Sequence, residues 1–245
     1  HVSGTVESDG FLNLTCFQVP VQAALAKARE YQVSLTNFLC AAMLMALQNL
    51  QNEEVANPKR KKPVKVLIPV NLRNLFPSKT LRNFALYTIP EIDPRLGEYD
   101  FGEICQAIRH RMGLDVNPKY MSAMIAANVE SERLLAVKVM PLFIKNAVMK
   151  AVFDAVGERT SSLSLSNLGQ VELPEIMREY VTRMDFILGV QATAPSNCGV
   201  ISYGDTMYIN FIRNIREPEL EACLCRVLRE MDLDITVQSN APKGV

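Results

Sequence analysis

The stretch that most constrains the fold runs from Leu35 to Leu50 and is apolar on nearly every side of a helix. Ser34 precedes it in the position of an N-cap, with Asn37 three residues further on. A helix that is apolar all round needs protein on every side, so it belongs at the centre of the molecule. The rest of the chain is therefore expected to fold around it.

Short apolar or alternating runs predict strands before and after a helical block. The predicted strands are residues 11–19, Val64–Val70, Asn83–Pro90, Ser161–Ser166, Val181–Val190, Gly199–Tyr203 and Met207–Ile212. Val64–Val70 is almost continuously apolar, which predicts burial on both faces of a sheet. Gly204 and Asp205 suit a two-residue hairpin turn. Helices are predicted to begin at Pro20, Asp100 and Pro118, near Pro141, and at Pro218.

This element order predicts an α+β fold, in which a mixed β-sheet carries helices mainly on one face. Between about Leu134 and Val152, Lys138, Lys145 and Lys150 interrupt an apolar helical pattern, which favours a surface helix over a membrane span. The longest apolar run, from Phe38 to Leu47, is also only half of the roughly 20 residues that a spanning helix needs.

Charge excludes further function classes. The 26 basic and 26 acidic side chains give a net charge of zero, whereas a nucleic-acid-binding protein usually carries a positive excess. A basic run from Asn57 to Lys65 lies between a predicted helix and a predicted strand, so we interpret it as a solvated loop. Hydrophobic residues make up 49% of the chain, which is enough for a substantial core.

The cysteine and histidine content bears on chemistry. The six cysteines occur in a long chain and mostly in apolar contexts, so we expect reduced thiols in a cytoplasmic protein. Cys223 and Cys225 have the wrong spacing for a zinc pair, and no metal site is predicted. The two histidines are His1 and His110, and His110 lies between two arginines in a helical pattern. The chain therefore lacks an evident general base.

Two short motifs carry the functional signal. Ile68-Pro-Val-Asn-Leu-Arg73, followed by Asn83-Phe84, reads as a strand, a polar turn and a second strand. Ser164-Leu-Ser-Asn-Leu-Gly169 is placed at the end of another strand. Together, and in this order, they resemble the chloramphenicol-acetyltransferase-like superfamily of acyltransferases, which includes condensation domains. The nearest resemblance is to its alcohol acetyltransferase-like and condensation-like members.

The resemblance implies a two-part protein. Members consist of two similar halves, and their His-His-x-x-x-Asp-Gly motif, which holds the general base, lies in the first half. This sequence has no such motif, so residues 1–245 are interpreted as the C-terminal half-domain of a longer acyltransferase-like protein, whose N-terminal half is its missing partner. The implied donor is acyl-CoA or a carrier-protein thioester, the acceptor is a small alcohol or amine, and no cofactor is bound tightly.

The resemblance also assigns candidate residues. Ser166 matches the family position that stabilises the oxyanion, Asn167 would shape the turn, and Gly169 would allow close backbone approach. The alternative is that this segment is only a polar corner between strand and loop. Arg73 either braces a substrate channel or pins its own loop, and Asn83 caps or turns the chain into the next strand.

One carboxylate stands out by its context. Asp185 lies in an otherwise apolar predicted strand, so it should be paired, by Arg183 or Arg213, or lie on a surface between the halves.

Two classes of function remain open at this stage. The first is a thioester-dependent acyltransferase half-domain that is inactive by itself. The second is a non-catalytic scaffold or interaction domain with the same fold, and a small-molecule binding module is a weaker third. A half-domain would expose the apolar surface that normally meets its partner, so the isolated chain is expected to self-associate.

Overall fold

A computed structural model describes residues 4–7, 10–133, 141–152, 161–189 and 194–241. These residues form one mixed sheet of eight strands and seven α-helices, which confirms the predicted α+β class. The strands are β1 (Asn13–Pro20), β2 (Val64–Asn71), β3 (Ala85–Thr88), β4 (Glu91–Ile92), β5 (Leu163–Val171), β6 (Ser196–Tyr203), β7 (Thr206–Arg213) and β8 (Thr236–Ser239).

The strand order is β3-β2-β5-β6-β7-β1-β8, and β4 also pairs with β2. Only the β2–β5 and β5–β6 neighbours are parallel, and the other pairs are antiparallel. The predicted hairpin joins β6 to β7, where Tyr203 is opposite Thr206 and Gly204 has φ = +57°. A positive φ at the first turn residue suits glycine, which has no Cβ to clash.

The helices are α1 (Val21–Glu30), α2 (Leu35–Glu54), α3 (Phe101–Asp115), α4 (Pro118–Arg133), α5 (Leu142–Val152), α6 (Glu175–Arg178) and α7 (Glu219–Arg229). The predicted cap of α2 is confirmed, because Ser34 Oγ accepts a hydrogen bond from Asn37 N at 3.2 Å. Asp100 and Glu103 form a reciprocal capping box at the start of α3. Residues 134–140, which include Lys138, lie outside the described residues.

The main core lies between the sheet and the layer formed by α2, α3 and α7. Alternate strand residues, among them Phe17, Val66, Leu165, Val200 and Phe211, point to this side and are buried against the helices. We call it the covered face. Helix α2 lies at its centre, since all but a few of its residues from Asn37 to Gln51 are buried. The all-round apolar pattern predicted this position.

The opposite side of the sheet, which we call the open face, carries the other alternate residues. Its own apolar cluster is small and consists of Cys16, Ile201 and Tyr208 with a few half-buried neighbours. The prediction that β2 is buried on both faces is wrong: Val64, Val66 and Ile68 are buried, but Leu67 is half-buried and Pro69 is exposed. The open face of β2 is therefore partly exposed to water.

A segment from Val181 to Gly189 crosses the open face. We predicted a strand here, and the structure shows an extended segment with no strand pairing up to residue 189, while Val190 lies outside the described residues. The physical reason is its position: it lies on top of the sheet, above Gly199, and not at an edge where backbone ladders form. Its polar backbone groups bond to side chains of the sheet, such as Asn197 Nδ2 to the Gly189 carbonyl at 2.8 Å. We call residues 181–189 the crossing segment.

No single helix among the described residues is long and apolar enough to cross a membrane. Helices α1 and α2 pass a test of length and composition only as a pair, and that pair is bent by 81°.

Candidate functional site

Ser166 lies near the middle of β5, with its side chain on the open face. Its neighbours Leu165 and Asn167 point to the covered face, where Leu165 is in the core and the Asn167 amide reaches α2. Ser166 is half-buried and pairs in register with Gly199 on β6. A hydroxyl in this position is accessible from the open face and held by a strand that is anchored from behind.

Next to Ser166, on the edge of β5 opposite β6, strands β5 and β2 separate. Strands β2 and β5 pair only at Val66–Leu163 and Leu67–Ser164. Beyond that point β2 continues with β3, while β5 continues with β6. The edge of β5 that faces β2 therefore has no strand partner from Leu165 onward in the described sheet. Unpaired backbone groups next to Ser166 are available to a bound extended molecule.

The segment after Ser166 forms a bulge inside β5, which corrects its predicted place at the end of a strand. The register with β6 shifts between Asn167 and Gln170. Asn167 shapes this bulge as predicted, since its Oδ1 accepts from Gly169 N at 2.8 Å and its Nδ2 donates to Thr36 Oγ1 at 3.1 Å. The bulge bends β5 while the Thr36 contact ties it to the start of α2.

The structure gives a different reason for Gly169 from the predicted close approach of another backbone. No atom of the described residues lies within 4 Å of where its Cβ would be, so there is no close approach of another backbone. Its φ of +77° is the reason for glycine here, because that conformation is strained for other residues.

The close approach occurs at Gly199, which the sequence analysis missed. A Cβ at this position would lie 2.1 Å from the carbonyl oxygen of Phe186 in the crossing segment. Only a glycine lets the crossing segment lie directly on β6, beside Ser166. The signal was present in the sequence, because a glycine inside an apolar strand indicates a bulge or the close approach of another chain segment.

Asp185 holds the crossing segment on the sheet. Arg183 binds its carboxylate through two nitrogens, at 2.7 and 2.9 Å, and also stacks over the ring of Tyr208. In the amide orientation that satisfies both groups, Asn210 donates to Asp185 Oδ1 at 3.0 Å and accepts from Phe186 N at 3.2 Å. The predicted pairing with Arg183 is confirmed.

The other predicted partner of Asp185, Arg213, is used elsewhere. It forms a buried ion pair with Glu221 at 2.8 Å. Cys16 lies on the Asp185 side, with its Sγ 3.8 Å from Asp185 Oδ1. Burial raises the pKa of the Cys16 thiol to about 11; nearby Arg183 lowers it and Asp185 raises it further. Cys16 is therefore a protonated, unreactive neighbour of the crossing segment.

Arg73 pins its own loop. Its Nη2 donates to the carbonyls of Thr80 and Arg82 at 2.8 and 2.7 Å, while Asn71 Oδ1 accepts from Arg73 N at 3.1 Å. This is the structural alternative of the two, and a role in a channel stays a prediction. Asn83 is exposed and lies two residues before β3, as expected for a residue that turns the chain into a strand.

The described residues contain one histidine, His110, and it lies far from the candidate site. It is exposed on α3, a helix that packs against α2 on the covered side of the sheet. Ser166 faces the other way, so the sheet separates the imidazole from the hydroxyl.

No grouping of three or more His, Cys, Asp or Glu side chains among the described residues could hold a metal ion. All six cysteines are free thiols, and burial raises the pKa of Cys105 to about 12.

Comparison with solved structures identifies the fold. TRI3 trichothecene 15-O-acetyltransferase from Fusarium sporotrichioides matches with a TM-score of 0.61 at 12% identity, over 94% of this chain and 48% of that chain. The condensation domain that mediates chain release from the enacyloxin polyketide synthase matches with a TM-score of 0.52 at 18% identity, over 98% and 44%. Wax ester synthase/diacylglycerol acyltransferase from Marinobacter aquaeolei VT8 matches with a TM-score of 0.50 at 13% identity, over 90% and 48%.

The chain thus spans about half the length of each of these structures. No protein-family model matches the sequence, and no curated protein matches it significantly.

Proposed function

Because the chain has the fold of part of a chloramphenicol-acetyltransferase-like condensation or acyltransferase protein, we propose that it is the C-terminal half of a thioester-dependent acyltransferase. The donor is acyl-CoA or a carrier-protein thioester, and the acceptor is an alcohol or an amine. The observation that carries the proposal is the placement of Ser166 on the open face, beside the crossing segment and the unpaired edge of β5.

The chemistry divides between the two halves. A base in the N-terminal half removes the proton of the acceptor, whose oxygen or nitrogen then forms a bond to the thioester carbonyl carbon. The carbonyl oxygen takes up the electron pair as an oxyanion, and Ser166 Oγ donates a hydrogen bond to it. When the carbon–sulfur bond breaks, the thiolate leaves and receives the proton from the base.

Two features of this chain support that division. The only described histidine lies behind the sheet, so the described residues bring no imidazole to Ser166. Ser166 itself is set on a strand that is fixed from both sides, by Asn167 to Thr36 on the covered face and by the crossing segment at Gly199 on the open face. A fixed donor stabilises a developing charge without the free-energy cost of reorganisation.

The open face also supports a partner half. Leu168, which is 55% exposed, Tyr87 and Ile187 are large exposed apolar side chains on or beside this face. Exposed large apolar side chains on one face favour protein association when they are buried together. We propose that the N-terminal half covers it and places its base over Ser166, and that the isolated chain self-associates through the same surface.

The test is thiol release from acyl-CoA with a panel of alcohols and amines. We expect the 245-residue chain to be inactive and the full-length protein to be active. In the full-length protein, Ser166→Ala should lower turnover about 10²–10³-fold, the loss typical of one oxyanion donor. Ser202→Ala is the matched control, because Ser202 is a buried serine on the neighbouring strand β6 that points to the covered face.

A different result would contradict each part of the proposal: the division into two halves, the role of Ser166 and the catalytic function. Turnover by the isolated chain that survives His110→Ala would overturn the division into two halves. Equal activity of Ser166→Ala and Ser202→Ala in the full-length protein would remove Ser166 from the site. A full-length protein that lacks the His motif and turns over no donor would favour the non-catalytic scaffold.

A further inference from the structure

Helix α5 is apolar, and its described side chains contribute to no core. Leu142, Ile144 and Val148 are 72%, 42% and 44% exposed, and none of the described α5 residues belongs to an apolar cluster of the described chain. In contrast, the neighbouring helix α4 contributes Met121 and Ile125 to a cluster with β2. The exposed apolar surface of α5 therefore costs free energy in water, which its burial against a partner would recover.

Four apolar residues of α5 form a band along one side of the helix, and Leu142 lies on the opposite side. At 100° per residue, Ile144, Ala147, Val148 and Ala151 share an arc about 100° wide. Lys145 and Lys150 flank this arc, one on each side. Lysines at the borders of an apolar arc can keep their ammonium groups at a polar surface while the arc is buried.

The charge of α5 has one sign only. The helix contains two lysines and no acidic residue, although the whole chain is balanced at 26 basic and 26 acidic side chains. Neither lysine ammonium has an ion-pair partner among the described residues. The surface that α5 fits is therefore apolar at its centre and negatively charged around it.

We propose that α5 is a docking helix for an anionic lipid surface, on which it lies parallel to the bilayer plane. The apolar arc would enter the boundary between headgroups and acyl chains, and both lysines would contact lipid phosphates or carboxylates. The helix has 11 residues and is about 16 Å long, so it cannot span a hydrocarbon core of about 30 Å. This docking does not depend on the proposed acyl transfer.

The absence of tryptophan from the sequence allows a direct test. Ile144→Trp introduces a single reporter into the apolar arc of the 245-residue chain, and Leu96→Trp introduces one at an exposed loop position elsewhere. With vesicles of phosphatidylcholine and phosphatidylserine, we expect a blue shift of emission for Ile144→Trp alone. With pure phosphatidylcholine vesicles, the shift should be much weaker because the charge contribution is lost.

Co-sedimentation with the same vesicles measures the two contributions separately. Ile144→Asp/Val148→Asp should abolish binding, whereas Leu114→Asp, at a 71% exposed leucine on α3, should leave it unchanged. Lys145→Gln/Lys150→Gln should weaken binding about 30-fold, at about fivefold per lysine. Lys59→Gln/Lys62→Gln, in the exposed basic loop, removes the same charge elsewhere and should have little effect.

Since none of the substituted α5 side chains is buried, all variants should retain the circular dichroism spectrum and melting temperature of the unsubstituted chain. Failure of the unsubstituted chain to bind anionic vesicles would overturn the proposal, as would equal losses in the α5 and control variants. If Ile144→Asp/Val148→Asp instead dissolves a dimer or a complex with the N-terminal half, α5 is a protein interface and the lipid assignment is wrong.

Discussion

The two faces of the sheet differ in the interactions that cover them. On the covered face, alternate apolar residues of β1, β5, β6 and β7 pack against α2, and Phe17, Leu165 and Phe211 are buried. On the open face, few apolar side chains are buried, and an extended segment is held by Arg183, Asp185 and a close contact at Gly199. Stability therefore resides mainly on the covered face, which leaves the open face free to carry a site.

The sharpest test of this difference is a large truncation on the covered face. Phe211→Ala removes a fully buried ring that packs against Phe17 at a centroid distance of 5.8 Å. We expect a loss of about 3–5 kcal/mol in the free energy of unfolding, the range for buried Phe-to-Ala changes. Urea denaturation followed by circular dichroism measures it. If Phe211→Ala lowered the free energy of unfolding by less than a substitution on the open face does, the assignment of stability to the covered face would be contradicted.

The covered face also contains a buried polar interaction, the ion pair between Arg213 and Glu221. Glu221→Ala leaves the Arg213 guanidinium buried, with Thr15 Oγ1 and the Arg216 carbonyl as its remaining acceptors. We expect a loss of about 3 kcal/mol, because an uncompensated buried charge costs about that much. Glu221→Gln keeps an acceptor for Arg213 and should lose clearly less, as thermal melting will show.

The same pair has a pH signature. Burial raises the pKa of Glu221 above 4.5, although Arg213 lowers it. The folded state therefore binds its proton more tightly than the unfolded state. The contribution of this group is present below pH 4.5 and decreases as the pH rises through its folded pKa. Glu221→Gln should remove this part of the pH dependence, and an unchanged profile would contradict it.

A smaller loss is expected where the crossing segment contacts the sheet. Gly199→Ala forces the Phe186 carbonyl away from β6, so we expect a loss of about 1–3 kcal/mol and faster proteolysis between Leu173 and Gly189. Gly189→Ala is the matched control, because nothing lies within 4 Å of its Cβ position in the described structure. Equal proteolysis of both variants would show that the close contact does not hold the segment.

The smallest effect on stability is expected at the exposed part of the open face. Leu168→Ser should change the free energy of unfolding by less than about 0.5 kcal/mol, because the side chain is largely in water. It should nevertheless reduce self-association of the isolated chain, measured by light scattering. A monomeric unsubstituted chain at high concentration would contradict the proposed association surface.

Local patterns predicted most of the elements. The cap at Ser34, the start of a helix at Pro218 and the hairpin at Gly204 are properties of neighbouring residues, so they were correct. The candidate site was less predictable. Ser166, Asn167 and Asp185 were named from motif and context, but Gly199 was missed because its partner, Phe186, is brought there only by the fold.

Periodicity and capping in the sequence determined the α+β class and the central position of helix α2, because these depend on short-range spacing. Only the tertiary structure decided the rest. The crossing segment has the composition of a strand, yet it lies on the sheet, since the positions beside β6 are already taken by β5 and β7. The pairing of β2 with β5 ends at Ser164, and the sheet lies between His110 and Ser166. Both features depend on contacts between residues that are distant in sequence, which local patterns do not specify.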